Sequence, residues 1–127
     1  MPPWNSPQAT PVLWLLFSLK GRISRRIYWL SYLLTICVQS ALLAQIVSED
    51  ATFHGPATGI GPILLIATLY SNYAVSVKRL HDVGYAGFLA LAIIIPFVNL
   101  AFTVWLGILP GSADANQYGE APDVPPA

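Results

Sequence analysis

Charge is what this chain has least of. Only 9% of its 127 residues are Asp, Glu, Lys or Arg, against about 25% in ordinary soluble domains. Six basic and six acidic side chains sum to a formal charge of zero. That balance speaks against a nucleic-acid partner, because gripping phosphates takes a clustered basic excess. A single cysteine, Cys37, excludes an internal disulfide. Set within an apolar run, it reads as a small buried apolar residue. Catalytic signatures are missing too: no Gly-x-Ser-x-Gly, no Walker loop, no paired carboxylates in an apolar segment, no His–Cys pair. The long apolar runs hold no charge, where a proton-coupled carrier would show some. The chain therefore reads as a non-enzyme that needs neither cofactor nor metal.

What fills the space is apolar: 55% of the residues. A chain this short exposes most of what it has, and so few charges cannot cover it in water. Lipid is its natural solvent. Length leaves room for one domain.

Residues 1–11 carry four prolines and no charged side chain, and read as a disordered lead. They are not a signal peptide, since the basic residues follow the first apolar run instead of preceding it. Val12 to Leu19 is too short to cross a bilayer, which takes about 20 residues. Running straight into Lys20-Gly21-Arg22-Ile23-Ser24-Arg25-Arg26, it suits a helix lying among headgroups. Gly21 breaks that helix and Ser24 caps the next.

Ile27 to Val47 is a convincing span: 21 residues without charge, about 31 Å as a helix. Tyr28 and Trp29 stand where an interfacial aromatic belt would be. Tyr28, Tyr32, Thr35 and Gln39 share one helix face, which should turn toward other helices. Ser48 to Pro56 is a short acidic turn in which His54 stands alone, so no metal site is expected there. Residues 57–77 make the second span, with Pro62 tolerated in its first turn. Its far end turns polar, and Asn72, Ser76 and Arg79 fall on one stripe. The plain reading is a helix end emerging into water.

The third apolar run, residues 87–109, is interrupted by Pro96. Proline here either kinks a through-going helix or marks the tip of a re-entrant hairpin; the residues leave both open. From Pro110 the chain is turn-rich and acidic. The domain plan is one integral-membrane domain over residues 12–122, with 123–127 a disordered tail. The fold class is an all-α membrane protein: an interfacial N-terminal helix, two full transmembrane helices and a third, Pro-broken apolar segment.

All six basic residues lie in two clusters, Lys20 to Arg26 and Lys78 to Arg79. One precedes the first span and the other follows the second, so the positive-inside rule places both in the cytoplasm, N-terminus included, with Glu49 and Asp50 outside.

Three fragments carry a resemblance. They are Gly21-Arg22-Ile23-Ser24-Arg25-Arg26 with Tyr28-Trp29, then Arg79-Leu80-His81-Asp82-Val83-Gly84 with Gly87, then Pro110-Gly111 with Asn116, Tyr118-Gly119 and Pro122. Their order and spacing resemble the bacterial inner-membrane family known as domain of unknown function 805, over roughly Leu16 to Pro122. The resemblance implies a small multi-span protein and brings no established activity. Ala86, Phe88 and Asp114 depart from the family pattern, which has serine, tryptophan and glycine there. Signature residues at the basic clusters and the tail tilt the third segment toward the hairpin, with the tail in the cytoplasm.

For Arg22, Arg25 and Arg26 the plain reading is topology, and the sharper one is a grip on lipid phosphate or a partner carboxylate. For His81 and Asp82 the plain reading is a helix end, with Lys78, Arg79 and His81 complementing its dipole and Gly84 as left-handed cap. A salt bridge from Asp82 to Arg22 or Arg25 is the alternative. A proton relay or metal site would need a third ligand that no neighbour supplies. The expectation is a non-catalytic membrane protein whose cytoplasmic cluster of Arg22, Arg25, Arg79, His81, Asp82, Asn116 and Tyr118 binds anionic headgroups or a membrane-protein partner. Gly21, Tyr28, Trp29, Gly84, Gly87 and Pro96 are expected to be structural. A small transport or channel subunit, assembled as a homo-oligomer, is the alternative; an enzyme acting on lipid stands third.

Overall fold

The computed structural model describes residues 12–48 and 60–126. The proposed lead over 1–11 and the acidic turn with Glu49, Asp50 and His54 lie outside them. The described residues form helices α1 (Val12–Phe17), α2 (Arg25–Val47) and α3 (Gly61–Val83), a 3₁₀ helix η1 (Gly87–Ile94) and α4 (Val98–Ile108). No strand occurs among them; one isolated bridge pairs Asn116 with Gly119.

Ser24 starts α2, its hydroxyl accepting from the Ile27 N–H at 3.4 Å and so satisfying one of the first turn's free donors. α2 is the one described helix long and apolar enough to cross a membrane. Its outer face is bare of protein, and Cys37, expected to be buried, is exposed there. α3 matches it in length at 23 residues but is built differently. It starts at Gly61 and runs six residues past the expected end of the span, so Lys78 to Asp82 belong to the helix. Far from emerging into water, the last third of α3 is the core of the molecule: residues 74–82 are all buried.

Gly84, at φ 95°, ends α3. Its N–H donates to His81 O at 3.1 Å and the Tyr85 N–H to Leu80 O at 2.9 Å, the paired closure of a Schellman motif. The chain then enters the third apolar run, which does not pass straight on. Its first end lies against α3, where a Cβ on Gly87 would come within 2.9 Å of His81 Nε2. Its last residue, Leu109, offers its carbonyl to Arg79. A continuous helix would hold those ends about 33 Å apart. The reversal falls at Pro96 and Phe97; Phe97 has φ +66° and is fully out of the protein. Geometry matches the two arms. Eight residues of 3₁₀ helix at about 2.0 Å per residue reach roughly 16 Å, and eleven of α-helix reach about the same.

Tyr28 and Trp29, expected at an interfacial belt, instead hold α4 against α2. Tyr28 is fully buried and donates to Thr103 O at 3.2 Å, while Trp29 Nε1 donates to Gly107 O at 3.1 Å. Gly107 permits this, because any Cβ there would overlap the Trp29 ring.

Candidate functional site

Where α3 ends, three separate stretches of sequence meet on one carboxylate. Asp82 lies one helical step from Arg79 and takes its Nη1 on Oδ2 at 2.5 Å. Its other oxygen takes Arg22 Nε at 3.0 Å and Nη2 at 2.9 Å. Each carboxylate oxygen thus serves one guanidinium, a charge-assisted contact to either side. Both arginines are 0% exposed and Asp82 is 3%.

Two guanidinium groups and one carboxylate leave a buried positive charge, and six backbone carbonyls answer it. Arg22 Nη2 donates to Ser112 O at 2.7 Å, and its Nη1 to Asp114 O at 3.0 Å and Gly119 O at 3.1 Å. Arg79 donates from Nε to Leu106 O at 3.0 Å, from Nη1 to Ile23 O at 3.3 Å, and from Nη2 to Leu109 O. The cations were expected to complement the dipole of α3 itself. They serve other helices. Leu106 and Leu109 lie at the carbonyl-rich end of α4, and Lys78 Nζ donates to Trp14 O and Ser18 O at the end of α1. Lys78 also stands 5.5 Å over the Trp14 ring, and burial pulls its amine down from 10.5 to about 8. Unsatisfied carbonyls of two short helices are thus closed by the side chains of a long one.

The tail returns the service. Asn116 Nδ2 donates to His81 O at 2.9 Å and the Ser112 N–H to Asp82 O at 2.7 Å, closing carbonyls of α3. Tyr118 stacks flat on His81, the ring centroids 3.9 Å apart and the planes 3° from parallel. His81 Nδ1 donates to Gly21 O at 3.1 Å, and burial, the largest influence, lowers its pKa below the ordinary 6.5. Asp123, expected to fall in a disordered tail, is part of the closure. Its N–H donates to Arg22 O and its carboxylate accepts from the Ser24 N–H, both at 2.8 Å.

Six of the seven residues expected to form a polar cluster therefore meet: Arg22, Arg79, His81, Asp82, Asn116 and Tyr118. Arg25 does not. It is exposed at the edge of the hub, where its one hydrogen bond among the described residues goes to Ile108 O at 3.3 Å. The expected grip of Arg22 and Arg79 on a lipid headgroup does not fit this geometry, since backbone carbonyls, those of the tail for Arg22 and of Ile23, Leu106 and Leu109 for Arg79, already occupy the donors and neither side chain reaches the surface. Sequence reasoning also missed Gly111. A Cβ there would overlap the Asp82 carboxylate, so only glycine lets the tail cross at that height. The Pro110-Gly111 pair was visible as a turn, but nothing in it showed what it crosses.

A second polar feature lies away from this hub. Tyr32, Asn72, Ser76 and Asn99 share a groove of about 460 Å³ with apolar walls including Leu69, Tyr73 and Leu91. It forms between α2, α3 and the reversing segment.

The arrangement ties the arginine-rich start of α2, the Arg-Leu-His-Asp end of α3 and the Pro-Gly tail into one unit. The family model described as "Protein of unknown function (DUF805)" matches residues 16–120 and so takes in all three. The chain belongs to this family. Among relatives of this DUF805 protein, Inner membrane protein YhaI of Escherichia coli K12 is 27% identical over 103 residues, 80% of this chain and 83% of the relative. Inner membrane protein YhaH of the same strain is 28% identical over 110 residues, 84% and 88% of the two chains. Uncharacterized protein YiiR is 35% identical over 96 residues, 76% of this chain and 61% of that one. No solved structure matches. With α2 of spanning length and composition, this is a bacterial membrane protein of a family with no assigned function.

Proposed function

We propose that this protein is a non-catalytic module of the bacterial inner membrane whose cytoplasmic face binds anionic lipid headgroups. In this reading α2 and α3 cross the bilayer, and η1 with α4 re-enters from the cytoplasmic side. Arms of about 16 Å reach the middle of a hydrocarbon core about 30 Å thick. The observation that carries the proposal is the division of the six cations. Arg22, Lys78 and Arg79 are spent inside the protein, while Lys20, Arg25 and Arg26 are exposed at the same end. Cations so placed next to a crossing helix attract an anionic leaflet, each contributing about 1 kcal/mol. The hub's part is to hold that surface rigid. Nothing about it suits catalysis, since its carboxylate is doubly paired and its histidine is stacked and bonded.

Paired reporters fused after Ala127, one active only in the cytoplasm and one only outside, test the topology. Cytoplasmic activity is expected; an external tail would refute it. Native mass spectrometry tests the binding. Wild-type protein should retain phosphatidylglycerol, and Arg25→Ala with Arg26→Ala should lose most of it. Equal retention by both would end the lipid assignment.

The groove at Tyr32, Asn72, Ser76 and Asn99 favours a second reading, a small transport subunit assembled as an oligomer. One chain has too few helices to enclose a path, so a strictly monomeric purified protein would remove it.

A further inference from the structure

The groove carries more than a general polarity. Thr35 Oγ1 meets Asn72 Oδ1, and Thr103 Oγ1 donates to Asn99 Oδ1 at 3.1 Å while lying 3.3 Å from Tyr32 Oη. The acceptor oxygens of both amides are thereby engaged, and their nitrogens make no hydrogen bond among the described residues. Ser76, 0% exposed, has a hydroxyl that makes no hydrogen bond of ordinary geometry among the described residues, its nearest polar neighbour being the buried Tyr28 hydroxyl. Two elements, α3 and α4, thus bring uncharged N–H and O–H groups to one apolar-walled space, with Tyr32 of α2 on its wall. An unmet buried donor is costly, and in lipid no water is at hand to relieve it. Such a set asks for acceptor oxygens on an otherwise apolar molecule.

Depth narrows the class. Asn72 lies ten residues before Asp82 on α3, about 15 Å from the hub along the helix. Asn99 stands beside the tip of the reversing segment. On the reading that the hub faces the cytoplasm, on which this inference rests, the groove sits near the bilayer midplane. A phospholipid ester cannot stay there while its charged headgroup remains at the surface. A lipid without a charged head can. A volume of about 460 Å³ is in the range of small-molecule sites and holds a compact head with the start of a chain.

We infer that this groove is a binding site for an uncharged, bilayer-soluble lipid bearing carbonyl oxygens, seated on the free donors of Asn72, Ser76 and Asn99. Two sources carry that chemistry, a prenyl-type quinone and a diacylglycerol. The test is equilibrium binding of each to the purified full-length protein in detergent, using a decyl-substituted benzoquinone and a short-chain diacylglycerol as probes, with a short-chain phosphatidylglycerol as control. Saturable binding at one site by either neutral probe is expected, and which one saturates names the source. Asn99→Ala removes a donor, and Leu91→Trp fills the groove from its exposed rim without touching the hub. Each should weaken binding at least tenfold, Leu91→Trp with the melting temperature unchanged. The inference is overturned if neither neutral probe saturates, if only phosphatidylglycerol does, or if both variants bind like wild type. A cytoplasmic C-terminus together with no saturation sinks the groove alone; an external C-terminus sinks the topology beneath it.

Discussion

At the scale of single residues, Asp82 decides most. It holds two fully buried guanidinium groups, and removing one partner of a buried ion pair leaves an uncompensated charge. Asp82→Ala is expected to cost about 3–5 kcal/mol, read as a large fall in melting temperature in detergent. Arg25→Ala, at an exposed position with one long contact, should stay within about 0.5 kcal/mol. His81 adds a pH dependence. Burial lowers its pKa in the fold below 6.5, so below that value the unfolded chain takes up a proton more readily. Its contribution is complete above 6.5 and fades as pH falls through the lowered folded value. Lys78 and the Asp82 carboxylate stand nearby, so the control is His81→Phe, which keeps a ring against Tyr118 without titrating. The variant should lose less melting temperature than wild type between about pH 7 and pH 5. Equal losses would assign the pH dependence to other groups.

At the scale of elements, the most dependent is α1. Six residues are far below the length at which a helix is stable alone, and none of them is buried. What holds α1 is Lys78 and Tyr70 reaching its last carbonyls, Tyr70 Oη donating to Phe17 O at 3.0 Å, together with Trp14 Nε1 donating to Lys20 O at 3.0 Å and the packing of Trp14 and Leu15 on the core. Lys78→Met keeps the bulk and removes the donor. Hydrogen exchange over residues 12–20 should then accelerate at least tenfold while α2 keeps its protection; unchanged exchange would show that the Tyr70 bond to Phe17 O and apolar packing suffice. This dependence also marks what was legible beforehand. The length of α2, the Ser24 cap, the Gly84 terminus and the break at Pro96 follow from local rules, and all were readable. The polar stripe Asn72, Ser76, Arg79 was readable as a pattern, but its setting was not. A helix end in water and a helix end buried under a folded-back tail have the same local sequence. What separates them is the tail's glycine at 111 and its carbonyls, and backbone carbonyls leave no trace in side-chain identity. For the same reason the arginines read as lipid-facing cations, when their partners were hidden in the main chain of Ser112, Asp114 and Gly119. Cys37 and Trp29 were misplaced because which face of α2 is covered depends on the reversal of the third segment.

At the scale of the whole molecule, the protein is closed at one end by its own C-terminal segment. Residues 110–126 contain no helix, yet they supply three of the six carbonyls around the arginines, the ring on His81 and the Asp123 contacts with Arg22 and Ser24. A half-satisfied polar network is worse than none, so the tail and the hub must fold together. This separates two truncations sharply. A chain ending at Pro122 loses only the hydrogen bonds of Asp123, about 2–3 kcal/mol at most, and should still purify as a folded protein. A chain ending at Leu109 strips Arg22 of every carbonyl and leaves both guanidinium groups sharing one carboxylate in a cavity open to water. It should fail to accumulate in the membrane, or melt below the Asp82→Ala variant. If it instead melts within a few degrees of the full chain, the two helices carry the stability alone. The tail would then be a removable cover over Arg22, and that arginine would again be free to meet a ligand, while Arg79 keeps its partners at Ile23, Asp82, Leu106 and Leu109.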